Sequence, residues 1–397
     1  MSAFLPSVCL DPLLPARRSK IKVLHIYRTY YPDPPGGLQE AIRQICQSTR
    51  PEVESRVFTL SPSPLPMTVT FEEATVVRAR SWCSPASCDL GGLQAVRQFA
   101  ALAEWADVLH FHYPWPFGDL LNLLPAAQKP KVLTYHSDIV RQRLLGALYT
   151  PLMRVTLRSM DAVIATSPTY AESSEPLQRY VSPERLEVIP LGMVDRTPST
   201  DAPAVVTDIL KKLDIVSKPF ILALGVLRYY KGLHTLIAAA NRIKSKIVIA
   251  GSGPEEKNLQ RQTSQLGVEN VIFTGQVSDD EKHDLLSRCE IFVLPSHLRS
   301  EAFGMVLLEA SMHAKPLVCC DIGSGMTYVN DDGETGLLVS PEMPEALAAA
   351  VNRLLDNPAL RKKMGAAARE RFLSKFSDEA LRRSYLRLYS KILNRWH

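Results

Sequence analysis

Two glutamates, Glu301 and Glu309, stand eight residues apart around a Phe303-Gly304 turn, just after a strand-like run ending Leu-Pro-Ser (294–296). Eight residues of helix rise about 12 Å, the reach from a sugar ring across a diphosphate to a ribose. The helix start would offer free N–H groups and a positive dipole end to phosphate oxygens, and Gly304 would let that backbone approach closely. Alone, the pair is better read as a helix start with one acidic residue and one salt-bridged glutamate.

The surroundings reverse that reading. Gly225-Val226-Leu227-Arg228-Tyr229-Tyr230-Lys231-Gly232 follows one strand-like run, Gly251-Ser252-Gly253-Pro254 a second, Phe273-Thr274-Gly275-Gln276 a third and Gly323-Ser324-Gly325 a fifth. Each loop alone is a tight turn. Together they line one rim with backbone N–H groups, with Arg228 and Lys231 as cations, and describe a nucleoside-diphosphate site. In the first half, His136 ends a strand where a cleft would lie. His110 and His112 share a strand face and could ligate a metal, but no third ligand stands near in sequence, and His25 reads as a core histidine. Asp279-Asp280-Glu281 suits an acidic first helical turn better than a metal site. No Asp-x-Asp and no Gly-x-Ser-x-Gly elbow is present, so the reading carries no metal and no cofactor.

The elements that must position these groups follow from periodicity. Apolar runs at 21–27, 55–60, 106–113, 131–137, 161–167 and 186–192 alternate with amphipathic stretches. The pattern pauses at a polar, proline-bearing segment, then resumes at 219–227, 246–253, 270–276, 290–296, 315–321 and 335–339. This predicts an α/β chain of two doubly wound Rossmann-like domains facing a central cleft. The expected division is a disordered lead-in (1–20), a first domain (21–195), a linker region (196–218), a second domain (219–375) and a final helical segment (376–397). A chain of 397 residues, 46% hydrophobic and 22% charged, is too long for one core and excludes a disordered, collagen-like or disulfide-framework class. No window supplies the roughly 20 apolar residues of a membrane span. Seven scattered cysteines suit reduced thiols in the cytoplasm. A net charge of +5 without a basic stripe argues against nucleic acid.

The motif set resembles retaining glycosyltransferases of family 4, which have the GT-B fold. It comprises E-x-F-G-x-x-x-x-E (301–309), the G-x-G-P loop (251–254), Lys231-Gly232, and Asp332-Gly333-Glu334-Thr335-Gly336-Leu337-Leu338-Val339. The first half adds Gly36-Gly37, His110-Phe111-His112 and Tyr135-His136-Ser137. The resemblance runs from about Ile21 to the end, and it implies that 21–195 is the acceptor-side domain, that 219–375 is the nucleotide-sugar domain and that 376–397 crosses back to the first. It implies that Glu301 binds hydroxyls of the donor sugar, that backbone at Phe303, Gly304 and Met305 meets sugar and phosphate, and that Glu309 binds the ribose. It further implies that Lys231 neutralises the diphosphate, that Gly37 lets the first domain close on it, that Gly251 and Gly253 line the donor, and that His136 lies near the reacting sugar. The chain departs from the family in having Val226 where an arginine is usual. Arg228, two residues on, is expected to reach the same phosphates.

The run Asp321–Asn330 is similar to that of GDP-mannose- and GDP-rhamnose-type transferases of bacterial surface polysaccharides. The expected reaction is therefore transfer of a hexose from a nucleotide-diphosphate donor to a lipid-linked glycan. A UDP-sugar donor is the runner-up, and an epimerase or a non-catalytic sugar-nucleotide binder are the other readings. From Ile139 to Met160 four arginines (Arg141, Arg143, Arg154, Arg158) stand among Leu144, Leu145, Leu148, Leu152 and Leu157 without an acid. This composition suits two short helices, divided at Pro151, lying on the anionic inner face of the cytoplasmic membrane. The alternative is a helix that packs its leucines inward.

Overall fold

The computed structural model describes residues 20–33, 36–84, 89–138, 143–197, 207–216 and 218–396, the side chains of 143–148 excepted. Most of the expected lead-in and part of the expected linker thus lie outside the described residues. Among these, two sheets form. The first contains β1 (Ile21–Ile26), β2 (Val53–Ser61), β3 (Thr68–Thr70), β4 (Thr75–Cys83), β5 (Leu90–Gly91), β6 (Val108–Tyr113), β7 (Lys131–Tyr135), β8 (Ala162–Ala165) and β9 (Leu186–Val188). Its order is β3-β4-β2-β1-β6-β7-β8-β9, with β5 on β4. The second contains β10 (Phe220–Leu224), β11 (Lys246–Ala250), β12 (Val271–Gly275), β13 (Ile291–Leu294), β14 (Leu317–Cys320) and β15 (Gly336–Val339), in the order β12-β11-β10-β13-β14-β15.

The central strands are parallel and covered on both faces, which is why they read as unbroken apolar runs. β4 escaped that reading because Arg78 and Arg80 interrupt it. Arg78 is nonetheless buried, with Nη2 3.2 Å from Asp33 Oδ1 and further bonds to the Ser61 hydroxyl and the Ser63 carbonyl. A fully paired guanidinium can occupy a sheet interior.

Each sheet has a core on either face. Tyr30, Phe58, Phe99, Phe111 and Trp115 fill one side of the first. On the other side Val23, Val108, Val132 and Ile164 pack against Leu381, Tyr385, Leu388, Tyr389 and Ile392 of the last helix, Asp378–Trp396. The last helix therefore covers the first sheet. The chain passes between the halves twice, side by side: Met193 N–H donates to Phe376 O at 2.9 Å and Met193 pairs with Ser377. Ile209 and Leu210, in the expected linker, pack with the second core.

Two expectations are corrected. Pro151 does not divide its segment: one helix runs Arg143–Ser159 through it. Met153 and Leu157 bury into the first core while Arg154 and Arg158 stay exposed, and this packing holds the helix across a residue that cannot donate its backbone bond. Arg141 lies outside the described residues, as do the side chains of Arg143, Leu144, Leu145 and Leu148. The second correction concerns Glu301. It sits in a loop, and the helix begins only at Met305 because Gly304 takes φ +82. No described helix is long and apolar enough to cross a membrane.

Candidate active site

In an open parallel sheet, ligands bind beyond the carboxyl ends of strands where the strand order reverses. In the second sheet that point lies between β10 and β13. Lys231 follows β10 and Glu301 follows β13. Gly232 holds the β10 loop against the β13 end: its φ is +67, and a Cβ there would stand 1.9 Å from the Pro295 carbonyl oxygen. This close approach brings Lys231 Nζ to 2.5 Å from Glu301 Oε2, both side chains about nine-tenths buried. The Ser296 hydroxyl donates to the same oxygen at 3.4 Å. Burial alone would pull the Lys231 ammonium down, but Glu301, with Tyr230 and Glu309, outweighs it and holds the group above its ordinary value. The lysine is a fixed cation at neutral pH.

The other residues expected to meet the donor are placed as follows. Glu309 lies in the helix Met305–Met312 and accepts from Lys282 Nζ at 2.8 Å. The Lys282 ammonium, lowered by burial, is raised on balance by Glu309 and Asp279. Phe303 buries its ring in the second core beside Phe376, 6.1 Å between centroids. Met305 is half-buried. Gly251 and Gly253 interlock with the neighbouring loop: a Cβ on Gly251 would stand 2.2 Å from Gly225 O, and one on Gly253 2.6 Å from Leu227 N. Their first task is therefore loop-to-loop packing. Arg228 is exposed and lines a cavity of about 90 Å³ with Tyr229, His234, Glu255 and Asn258. Val226 is also exposed. Asp279-Asp280-Glu281 form a first helical turn, with Ser278 and Glu281 in a reciprocal cap.

In the first sheet the order reverses between β1 and β6. Gly37 opens the helix Gly37–Thr49 after β1, exposed, with nothing within 4 Å of where a Cβ would stand. His136 follows β7 and is buried; its Nε2 lies 3.0 Å from His112 Nδ1. Burial holds its imidazole down at about 3, so it is neutral.

The two halves meet at residues that sequence reasoning missed. Arg299, two residues before Glu301, lies 3.8 Å from Asp138, two residues after His136. It donates to the Ser173 hydroxyl at 3.0 Å and to the Gly323 carbonyl, and its guanidinium lies 5.5 Å from the Tyr170 ring. Ala302 packs on the first core. The only available signal was the place of Arg299 beside the glutamate motif. His25, read from the sequence as a core histidine, is fully buried. His25, His110 and His112 converge with one nitrogen each within 4.8 Å. They make a poor metal site, since His110 is already bonded to Tyr389 and Thr134, and His112 to His25 and His136.

Two parallel α/β halves meeting at their strand ends, with a buried cation–carboxylate pair at one switch point and a glycine-opened helix at the other, define a GT-B sugar transferase. The chain belongs to the family 4 glycosyltransferases: residues 206–371 match the glycosyl transferases group 1 family and residues 36–192 the glycosyl transferase 4-like domain. It is 37% identical to O-antigen chain mannosyltransferase C of Escherichia coli over 94% of this chain and 99% of that protein. It is 41% identical to the D-rhamnosyltransferase WbpZ of Pseudomonas aeruginosa over 90% of this chain and 92% of that protein. The fold is similar to that of sucrose-phosphate synthase from Thermosynechococcus elongatus, with TM-score 0.77, 21% identity, and 94% and 100% of the two chains covered. The chain is a glycosyltransferase.

Proposed function

We propose that this enzyme moves a hexose, with retained anomeric configuration and without a metal, from GDP-mannose or GDP-rhamnose to a lipid-linked glycan of O-antigen or a related surface polysaccharide. The observation that carries this reading is near-full-length similarity to a mannosyltransferase and a rhamnosyltransferase of one chemical class, joined to the Lys231–Glu301 pair. Glu301 binds hydroxyls of the donor sugar, Lys231 neutralises the diphosphate, and backbone at Phe303, Gly304 and Met305 meets sugar and phosphate. Glu309 exchanges Lys282 for the ribose. Gly37 admits the diphosphate to the first domain's loop, and His136 faces the reacting sugar. Such transfer asks little covalent work of the protein once the leaving diphosphate is stabilised electrostatically.

Residues 21–195 form the acceptor side and 219–375 the donor side, joined through 196–218, with 376–397 returning to the first. The lipid acceptor puts the enzyme at the inner face of the cytoplasmic membrane, held there reversibly by Arg154, Arg158 and their neighbours. A donor panel with lipid-linked acceptor extracts tests the whole reading. Nucleotide release should occur with GDP-mannose or GDP-rhamnose and exceed that with UDP-glucose or UDP-N-acetylglucosamine. Release from a UDP-sugar alone overturns the donor assignment.

A further inference from the structure

A row of imidazoles crosses the first sheet beneath His136. His25 on β1, His112 on β6 and His136 after β7 lie on three neighbouring strands. His25 Nδ1 is 3.1 Å from His112 Nε2, and His112 Nδ1 is 3.0 Å from His136 Nε2. His110 stacks on His112 with centroids 4.3 Å apart and is pinned at both nitrogens, by the Tyr389 hydroxyl at 2.8 Å and the Thr134 hydroxyl at 2.7 Å. Tyr389 belongs to the last helix, so that helix fixes the stack from below. Burial pulls the His25 and His136 imidazoles down to about 3, and burial with the neighbouring histidines pulls His110 and His112 well down too, so all four are neutral at pH 7.

A neutral imidazole has one N–H and one lone pair. In a row where Nδ1 of each ring meets Nε2 of the next, the protons must therefore all lie on Nδ1 or all on Nε2. The end of the row separates the two. His25 Nε2 is buried without a hydrogen-bond partner. The second pattern would bury an unmet N–H there, and the first leaves only a lone pair. Orphaned buried donors are the rarer case.

We propose that His25 and His112 are positioning residues that fix His136 in the Nδ1–H tautomer, so that it meets the donor sugar as a hydrogen-bond donor. The inference rests on the proposed role of His136. Histidine-labelled protein examined by long-range proton–nitrogen correlation should show His25, His112 and His136 protonated on Nδ1. An Nε2–H tautomer at His136 overturns the proposal, whether or not any variant folds. His112→Phe removes the N–H that holds His136 Nε2. It should release His136 toward Nε2–H and lower kcat roughly tenfold, while the donor KM stays within about twofold. His112→Asn keeps an N–H near the Nδ1 position and should restore both tautomer and most of kcat. Unchanged kcat in His112→Phe, with His136→Ala inactive, overturns the positioning role. Full activity in His136→Ala instead overturns the role of His136 itself, so the two failures are distinguishable.

Discussion

At the scale of single residues, the proposed donor site is organised around one short contact. Lys231 and Glu301 neutralise each other in a setting nine-tenths closed to water, where removing one partner leaves an uncompensated charge. Glu301→Gln removes the charge that strengthens the hydroxyl bonds and should lower kcat/KM by about 2 kcal/mol equivalent, roughly thirtyfold, measured as nucleotide release. Wild-type turnover in this variant would sink the assignment. Lys231→Met should both weaken nucleoside-diphosphate binding and cost about 3 kcal/mol of stability through the stranded carboxylate, read by calorimetry and urea unfolding. Arg228→Ala is the comparison. Arg228 stands exposed on the same loop, and its loss should also weaken nucleotide binding; normal binding in this variant while Lys231→Met fails would overturn its reach to the phosphates.

At the scale of elements, loops at the strand ends carry the fine placement. Gly251 takes φ +120, and a Cβ there would meet the Gly225 carbonyl oxygen at 2.2 Å. Gly251→Ala should therefore destabilise the protein by about 2–4 kcal/mol and shift the β10 loop that ends in Lys231. An unchanged urea midpoint counts against this packing. The helix Arg143–Ser159 shows one apolar face inward at Met153 and Leu157 and two arginines outward. Arginines near anionic lipid contribute roughly 1 kcal/mol each. Changing Arg141, Arg143, Arg154 and Arg158 to Gln should reduce co-sedimentation with anionic vesicles at low salt, and equal sedimentation of both proteins returns the helix to ordinary packing.

At the scale of the molecule, the buried imidazoles couple folding to acidity. His25 and His136 fall from 6.5 to about 3 through burial, so the fold favours their neutral forms. Groups with depressed folded values contribute stability that is complete above about 6.5 and is lost as pH falls toward 3. Each should contribute about 1.4 kcal/mol of lost stability per pH unit in that window. Urea unfolding at pH 7, 6 and 5 should show this slope, and His25→Leu should lessen it by one histidine's share. A slope indifferent to His25→Leu would mean that the imidazole charges without opening the sheet.

Much of this protein was legible in its chain because local rules wrote it there. Apolar runs between amphipathic stretches specified two parallel sheets, since strands buried on both faces tolerate few polar residues. Gly304 and Lys231-Gly232 were legible as points of close backbone approach, because such approach restricts residue type within a few positions. What the chain concealed depends on contacts between distant segments. β4 looked unlike a strand until Asp33 and carbonyls from another loop satisfied Arg78. His110 and His112 lacked a third neighbour until strand order set His25 beside them, and Arg299 meant nothing before Asp138 and Ser173 came to it from the other half. Spacing along a strand or helix is fixed by covalent geometry; which strand lies next to which, and which side chain then loses its water, is decided only when the sheets close.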